Sequence, residues 1–376
     1  MKKTMEKNKL FFGDKLRLAR LLRGITQQQL GDLVSTTRQY IHQLESGSRQ
    51  PAKDVLSALC ESLRVTPSFF NSFLENDVKP EQCHFRKRKT TPVGLANRVL
   101  AYSTIFEQLI TYIQNYIELP ITNFPQANSD ITKYPNLEIE QAAESCRKLW
   151  RLGINSPISN VTRALENNGI IITQFSGVSD KVDALSINRK YPIIVRNDAK
   201  ESVCRMRFDL SHECGHFILH DGIETGDTKT ESEADKFASA FLFPRAAFFK
   251  EFPDFRGYRL DWELIYDLKK RWKLSVRAII YRAHYFGLIT AQQYRSANVW
   301  LNKTGQSKKE RNDDLITQEP PELLKNAITL LDEQLGNSFK YISDKLGVYP
   351  ELLAEITGID YHDKNYHDNI IPFFAQ

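Results

Sequence analysis

Between residues 10 and 75 apolar side chains recur every three or four positions, separated by short polar turns, which is the signature of a compact helical unit. Phe12, Leu16, Ala19 and Leu22 line one stripe of a first helix over Phe11–Leu22, and Gly24 ends it. Thr26-Gln27-Gln28-Gln29 reads as a capping box that opens a short helix bearing Leu30, Leu33 and Val34. After the turn at Ser35-Thr36, Thr37 caps a third helix through Leu44. Its inward positions are Ile41 and Leu44, and its outward positions are Arg38, Gln39, Tyr40, His42 and Gln43. Helices over Ala52–Leu63 and Pro67–Leu74 complete five.

A connecting region, residues 76–135, follows. Cys83–Pro92 reads as an exposed basic connection. Val93–Leu119 reads as a long amphipathic helix carrying Leu95, Val99, Tyr102, Phe106, Leu109, Tyr112 and Tyr116, before an irregular stretch, Pro120–Pro135. Residues 136–300 begin with helices over Leu137–Leu152 and Ile158–Asn167, and then the period changes. Gly169–Phe175, Val182–Ile187 and Tyr191–Arg196 are short β-rich runs. They predict a small sheet behind a helix over Phe208–His220, which a second helix, Thr230–Leu242, follows up to Pro244. In residues 301–376, Lys303–Asp314 is polar and expected to be mobile; Leu323–Leu335, Phe339–Leu346 and Pro350–Ile356 are helical. The expected fold is multi-domain and mainly α: a five-helix unit, an α+β domain with a small sheet, and a helical C-terminal region. That last region could dock a partner, sense a signal or cover a site, with packing on the α+β domain the plainer expectation.

At 376 residues, 41% hydrophobic and 26% charged, the chain can build two or three ordinary cores. No apolar run reaches the roughly 18 residues that span a bilayer. The basic start, Met1–Lys9, leads into no long apolar segment, so no signal peptide and no membrane contact are expected. Five cysteines without C-x-x-C spacing argue for free thiols in a reducing, cytoplasmic setting. The net charge of +5 is unevenly placed: Lys2, Lys3, Lys7, Lys9, Lys15, Arg17, Arg20 and Arg23 crowd the start, and Arg86-Lys87-Arg88-Lys89 forms a second cluster. Both fit a polyanionic partner or, equally, a solvated basic face.

The strongest chemical signal is His212-Glu213-Cys214-Gly215-His216, an H-E-x-x-H run. Two histidines four apart on a helix project from one face and can close on a single zinc ion, and the intervening glutamate can take a proton from water there. Zinc needs a third protein ligand. His220 shares the face but stands about 6 Å further along the axis. It is a weak ligand candidate, and could instead help position substrate, stabilise an oxyanion or simply hydrogen-bond at the helix end. Glu231 and Asp235 share one face of the next helix. The first can bind metal, and the second can hydrogen-bond a ligating histidine. Glu233 points elsewhere and is expected to be solvated. Tyr258, Tyr281, His284 and Tyr294 are further oxyanion candidates that the sequence cannot rank.

The short helix, tight turn and polar-faced helix of residues 10–75 form a helix-turn-helix pattern, whose arginines and glutamines suit guanine and adenine edges. Ile25–Leu30, Thr36–Gly47 and Pro51 resemble the lambdoid repressor (Cro/C1, or XRE) family. The resemblance implies operator-like double-stranded DNA as partner and admits a homodimer. It places Gln27 and Gln28 by phosphates and Arg38, Gln39, Tyr40 and Gln43 toward bases.

Arg207–His220 with Glu231–Pro244 resembles the ImmA/IrrE family of zinc metallopeptidases, members of which are often fused to an XRE domain. The likeness extends through Trp262–Leu288. It implies Zn2+ held by His212, His216 and Glu231, Glu213 as catalyst, and a protein substrate such as a repressor of a mobile element or stress response. Cys214 and Phe243 depart from aliphatics common in the family, and neither removes a required group. The rival reading is an XRE-type regulator, antitoxin or defence component whose peptidase-like half only senses or binds a partner.

Overall fold

The computed structural model describes residues 11–74, 77–79, 83–85, 92–125, 136–176, 185–196, 202–223, 225–253 and 260–360. Lys2, Lys3, Lys7, Lys9, the Arg86–Lys89 cluster, Tyr258, His362 and His367 lie outside the described residues. Among the described residues the fold is mainly helical with one small sheet, as the apolar periodicities predict.

The first unit comprises α1 (Gly13–Leu22), α2 (Gln27–Leu33), α3 (Arg38–Glu45) and α4 (Lys53–Leu63). Its expected fifth helix is only a 3-10 turn, Pro67–Asn71. The caps are as read. Thr26 and Gln29 form a reciprocal box, and the Thr37 side chain accepts from the Tyr40 amide. Gly13 lets α1 cross the end of α3, because a Cβ there would stand 2.2 Å from the Leu44 carbonyl oxygen. Leu33 turns outward and is exposed, unlike Leu30 and Val34.

Then come α5 (Val93–Gln114), α6 (Asn136–Leu149) and α7 (Val161–Asn167). Among the described residues the sheet has four strands, not three: β1 (Cys83–Phe85), β2 (Ile171–Thr173), β3 (Leu185–Ile187) and β4 (Ile193–Val195), in the order β1-β3-β4-β2. Cys83–Phe85, read from sequence as part of an exposed connection, pairs antiparallel with β3, with His84 opposite Ser186. A three-residue strand is too short for alternation to reveal. The sheet is sandwiched. Ile171, Leu185, Ile187, Ile193 and Val195 belong to one core with the first unit, α5 and the C-terminal helices, while Ile172 and Ile194 join a second core.

That second core is built on α8 (Val203–Leu219), α9 (Thr228–Leu242), α10 (Arg245–Glu251), α11 (Trp262–Trp272), α12 (Val276–Tyr285) and α13 (Ala291–Lys303). Buried ion pairs bind it together: Arg282 with Glu140, and Arg207 with Glu319. Lys303–Asp314 is not the free polar segment its composition suggests. Glu310 and Asp313 are buried against the Lys269 ammonium at 2.9 and 2.6 Å, and Glu310 also accepts from the Val276 amide at the start of α12. A charge that finds a buried partner and backbone donors no longer needs solvent.

The tail forms α14 (Leu323–Leu335), α15 (Phe339–Leu346) and α16 (Pro350–Thr357). It does not simply pack on the α+β domain. Leu324, Ile328, Val348, Leu352 and Ile356 share the core of the first unit and α5.

Candidate functional site

The site begins with α8, which is buried around nearly its whole circumference by the sheet on one side and helices on the others. Such a helix can hold polar groups only where they find partners. Gly215 sets how close α9 comes, since a Cβ there would meet the Phe237 ring at 3.0 Å. Asp227 starts α9 firmly, accepting from the amides of Lys229 and Thr230 at 2.9 and 2.7 Å. One turn later Glu231 reaches the histidines of α8.

Nε2 of His212 and Nε2 of His216 lie 3.1 Å apart. The Glu231 carboxylate stands 3.3 Å from the first and 3.4 Å from the second. Ligands about 2.0–2.1 Å from a tetrahedral zinc are separated by about 3.3 Å, so the three donors match three corners of such a site. Two imidazole nitrogens and one carboxylate are also the donor chemistry zinc takes in catalytic sites. Among the described residues, His212, His216 and Glu231 form the one cluster suited to a metal ion.

Behind each histidine stands a support. His212 Nδ1 is 2.7 Å from Asp235 Oδ1, one turn beyond Glu231 on α9. His216 Nδ1 is 3.0 Å from Nδ1 of His220, whose Nε2 is 3.0 Å from Glu233 Oε2. Both ring nitrogens of buried His220 are thus engaged inside the protein, the hydrogen-bonding role at the helix end that the sequence also allowed. Glu233 is buried rather than solvated, because the end of α8 covers that face of α9. Helix phase placed it opposite Glu231 but could not say what stood there.

Burial and neighbouring charge act in opposite directions on the three groups. Burial works to lower the His212 imidazole, but Asp235 and Glu231 outweigh it and hold it up at about 9. Burial works to raise Glu231, and the two imidazoles outweigh that, bringing it down to about 2. For His216 burial dominates and lowers the ring. A cation held by the Nε2 atoms would compete with protons for them.

Glu213 lies on the sheet side of α8, where Ser186 of β3 donates from Oγ to Glu213 Oε2 at 2.5 Å. The sequence pattern does not single out Ser186. Its one signal is a hydroxyl between Leu185 and Ile187, on the opposite face of the strand from those two core residues. Beside Asp235 opens a cavity of about 570 Å³, lined among others by Arg205, Phe208, Asp209, Arg277, Tyr281 and Tyr294. Of the tyrosine and histidine candidates for the oxyanion, Tyr281 is half-exposed there, with its phenol pushed up by burial and then by the Asp235 charge. His284 stacks on Tyr294 at 4.7 Å between ring centres, a packing role.

In the first unit Arg38, Gln39, His42 and Gln28 are exposed, and Tyr40 and Gln43 half-buried. The Arg49 guanidinium lies over the Tyr40 ring at 4.7 Å. Gln27 is turned inward: its amide donates to Glu45 Oε2 at 2.7 Å, and Arg20 Nε donates to Glu45 Oε1 at 2.6 Å. This clamp joins α1, α2 and α3 and occupies the amide that the resemblance assigned to phosphate.

Residues 16–70 match the family model described as helix-turn-helix, and residues 165–284 match that of the IrrE N-terminal-like domain, a peptidase family. No curated protein matches the chain. The chain therefore joins a helix-turn-helix domain to a peptidase-like one, and α8, α9 and all the metal-site residues above fall inside the second match.

Proposed function

We propose that this chain is a DNA-binding zinc metallopeptidase that regulates transcription by cleaving a repressor or another regulatory protein. The observation that carries the reading is the convergence of His212 Nε2, His216 Nε2 and the Glu231 carboxylate, with Glu213 on the intervening turn of α8. His212, His216 and Glu231 would hold zinc, which when bound supplies Lewis-acid polarisation and makes water acidic enough to deprotonate near neutral pH. Glu213 receives the proton of the attacking water and delivers it to the departing amine. Ser186 keeps that carboxylate in one orientation. Asp235 and the His220–Glu233 pair each hold a ligand histidine by its Nδ1, so that Nε2 faces the cation. Tyr281, which lines the cavity beside Asp235, is the candidate we assign to meet the developing oxyanion.

On the helix-turn-helix domain, Arg38 and Gln39 present the exposed, bidentate chemistry suited to base edges, and Gln28, exposed but with its amide donating to Asp32 Oδ1 at 2.8 Å, would have to release that bond to reach a phosphate. Regulation through DNA and hydrolysis of a regulatory protein then reside in one molecule.

A second reading draws on β1. An extended substrate that added a strand to β3 would lie beside Ser186 and Glu213, but β1 already holds that edge. A partner that displaced β1 without being cleaved would make the peptidase-like half a sensor. One experiment separates the two: mass spectrometry of candidate repressors after incubation with the zinc-loaded chain and with Glu213→Ala. Fragments that depend on Glu213 support hydrolysis, whereas stable complexes with intact partners support sensing.

A further inference from the structure

Two distant segments share a pattern: Leu63-Arg64-Val65-Thr66-Pro67-Ser68-Phe69-Phe70 in the helix-turn-helix domain, and Leu346-Gly347-Val348-Tyr349-Pro350-Glu351-Leu352-Leu353 in the tail. The backbones agree as well. In each, a helix ends on the leucine and the next residue is left-handed, Arg64 at φ 55° and Gly347 at φ 73°. A buried valine follows, and a new helical turn starts at the proline.

The two segments meet. Val65 and Val348 form an antiparallel bridge. The Thr66 amide donates to the Gly347 carbonyl at 2.8 Å, and the Tyr349 amide donates to the Arg64 carbonyl at 3.0 Å. Thr66 corresponds to Tyr349 in the shared pattern and Arg64 to Gly347, so exchanging the segments leaves the bonding unchanged. This is a local two-fold axis, and it is the reciprocity that an isologous contact between two identical copies makes.

We infer that the C-terminal segment stands in the place of a second copy of the helix-turn-helix domain, and that it keeps that domain single in the intact chain. Three features favour the tail over a true second copy. A Cβ at Gly347 would lie 2.8 Å from Phe69 Cα, so this position must be glycine, whereas a second copy would offer the Cβ of Arg64 there. Glu355 of α16 collects Arg23, Arg64 and Arg98 at 3.9, 3.7 and 3.7 Å and accepts from the Tyr102 hydroxyl at 2.9 Å. The corresponding stretch of the helix-turn-helix domain, which runs Ser72-Phe73 after its 3-10 turn, has no acid to offer those arginines. Finally, a tethered segment competes at an effective concentration on the order of millimolar. The domain therefore reads DNA as one unit, and only release of the tail opens the Val65 edge to a second chain.

The bridge gives a direct test, independent of the metal site. The amides that cross it belong to the flanking residues, so Val65 and Val348 form a non-hydrogen-bonded antiparallel pair, with Cα atoms typically about 4.5 Å apart, close enough for a disulfide. Val65→Cys, Val348→Cys and the double variant of the full chain are oxidised mildly beside the unaltered chain, then resolved on non-reducing gels and by sedimentation. The double variant should close a disulfide within one chain and sediment as a monomer, while Val65→Cys alone should form no disulfide between two chains. Tyr349→Pro, which removes the Tyr349 amide at a helix-capping φ of −74°, should loosen the tail and raise the yield of disulfide-linked dimers when combined with Val65→Cys. Ready interchain linkage of the Val65→Cys variant with the native tail in place, or mainly interchain disulfides in the double variant, would overturn the inference.

Discussion

Ser186 Oγ donates a 2.5 Å hydrogen bond to Oε2 of Glu213, tying the central residue of a three-residue strand to the acid of the H-E-x-x-H helix. Both groups are buried, so the bond is not diluted by water. It also explains why a hydroxyl interrupts an otherwise apolar strand. A bond to a carboxylate contributes about 1.5–3 kcal/mol, or about 10- to 150-fold in a rate that depends on it. Ser186→Ala should therefore lower kcat for the cleaved partner by that range, with KM and zinc content nearly unchanged. Loss of zinc, or a KM-only effect, would assign Ser186 to structure instead.

The two histidine supports differ in length, one carboxylate behind His212 and a histidine-carboxylate pair behind His216. Removing such a support typically costs about 10- to 100-fold in metal affinity. Asp235→Asn, Glu233→Gln and His220→Ala should each weaken zinc binding by about that factor in a chelator competition titration. Lys236→Ala, at a half-buried position of the same helix, should leave it alone. Zinc affinity that is indifferent to His220 and Glu233 would show that they serve packing only.

Glu166 offers a pH test far from the metal. Burial is the main influence on it and raises its carboxyl from 4.5 to about 8, although it accepts from the Glu322 and Leu323 amides where α14 begins. An acid whose folded value is raised stabilises the fold fully below its unfolded value, and that contribution is lost as pH rises toward the folded one. Stability should thus fall between about pH 4.5 and 8 through this group. Glu166→Gln keeps an acceptor for both amides and cannot ionise. Its melting temperature should exceed that of the unaltered chain at pH 8 and approach it at about pH 5. Parallel melting curves across that interval would remove Glu166 as the cause.

On the proposed DNA-reading face, Arg38 is exposed at the start of α3 and Thr37 fixes that start. Arg38→Ala should cost about 1–3 kcal/mol on a specific site and little on unrelated duplex, read by titrations at matched salt. An equal loss on both duplexes would reclassify Arg38 as a phosphate contact. Gln27 should behave differently. With its amide on Glu45, Gln27→Ala should lower the stability of the domain before it changes selectivity.

Much of the candidate site was legible because its groups sit on two helices at fixed spacing. His212 and His216 four apart, and Glu231 and Asp235 four apart, each define a face without any knowledge of the fold. Ser186 was not legible, since its partner lies on another element and nothing local demands a hydroxyl there. Glu233, expected to be solvated, was misjudged for a related reason. Local periodicity says which way a side chain leaves its helix, not whether another element covers it.

The helices, the threonine caps of α2 and α3 and the face shared by each pair of site residues follow from the amino-acid order, because each depends on neighbours within a few positions. Other features arise only in the assembled molecule. Cys83–Phe85 closes the edge of the sheet, Glu310 and Asp313 are buried on Lys269, and the tail lies on the helix-turn-helix domain rather than on the peptidase-like one alone. These are pairings between residues far apart in the chain. Their energy comes from burial and hydrogen bonds that exist only once both partners are in place, so no window of sequence contains them.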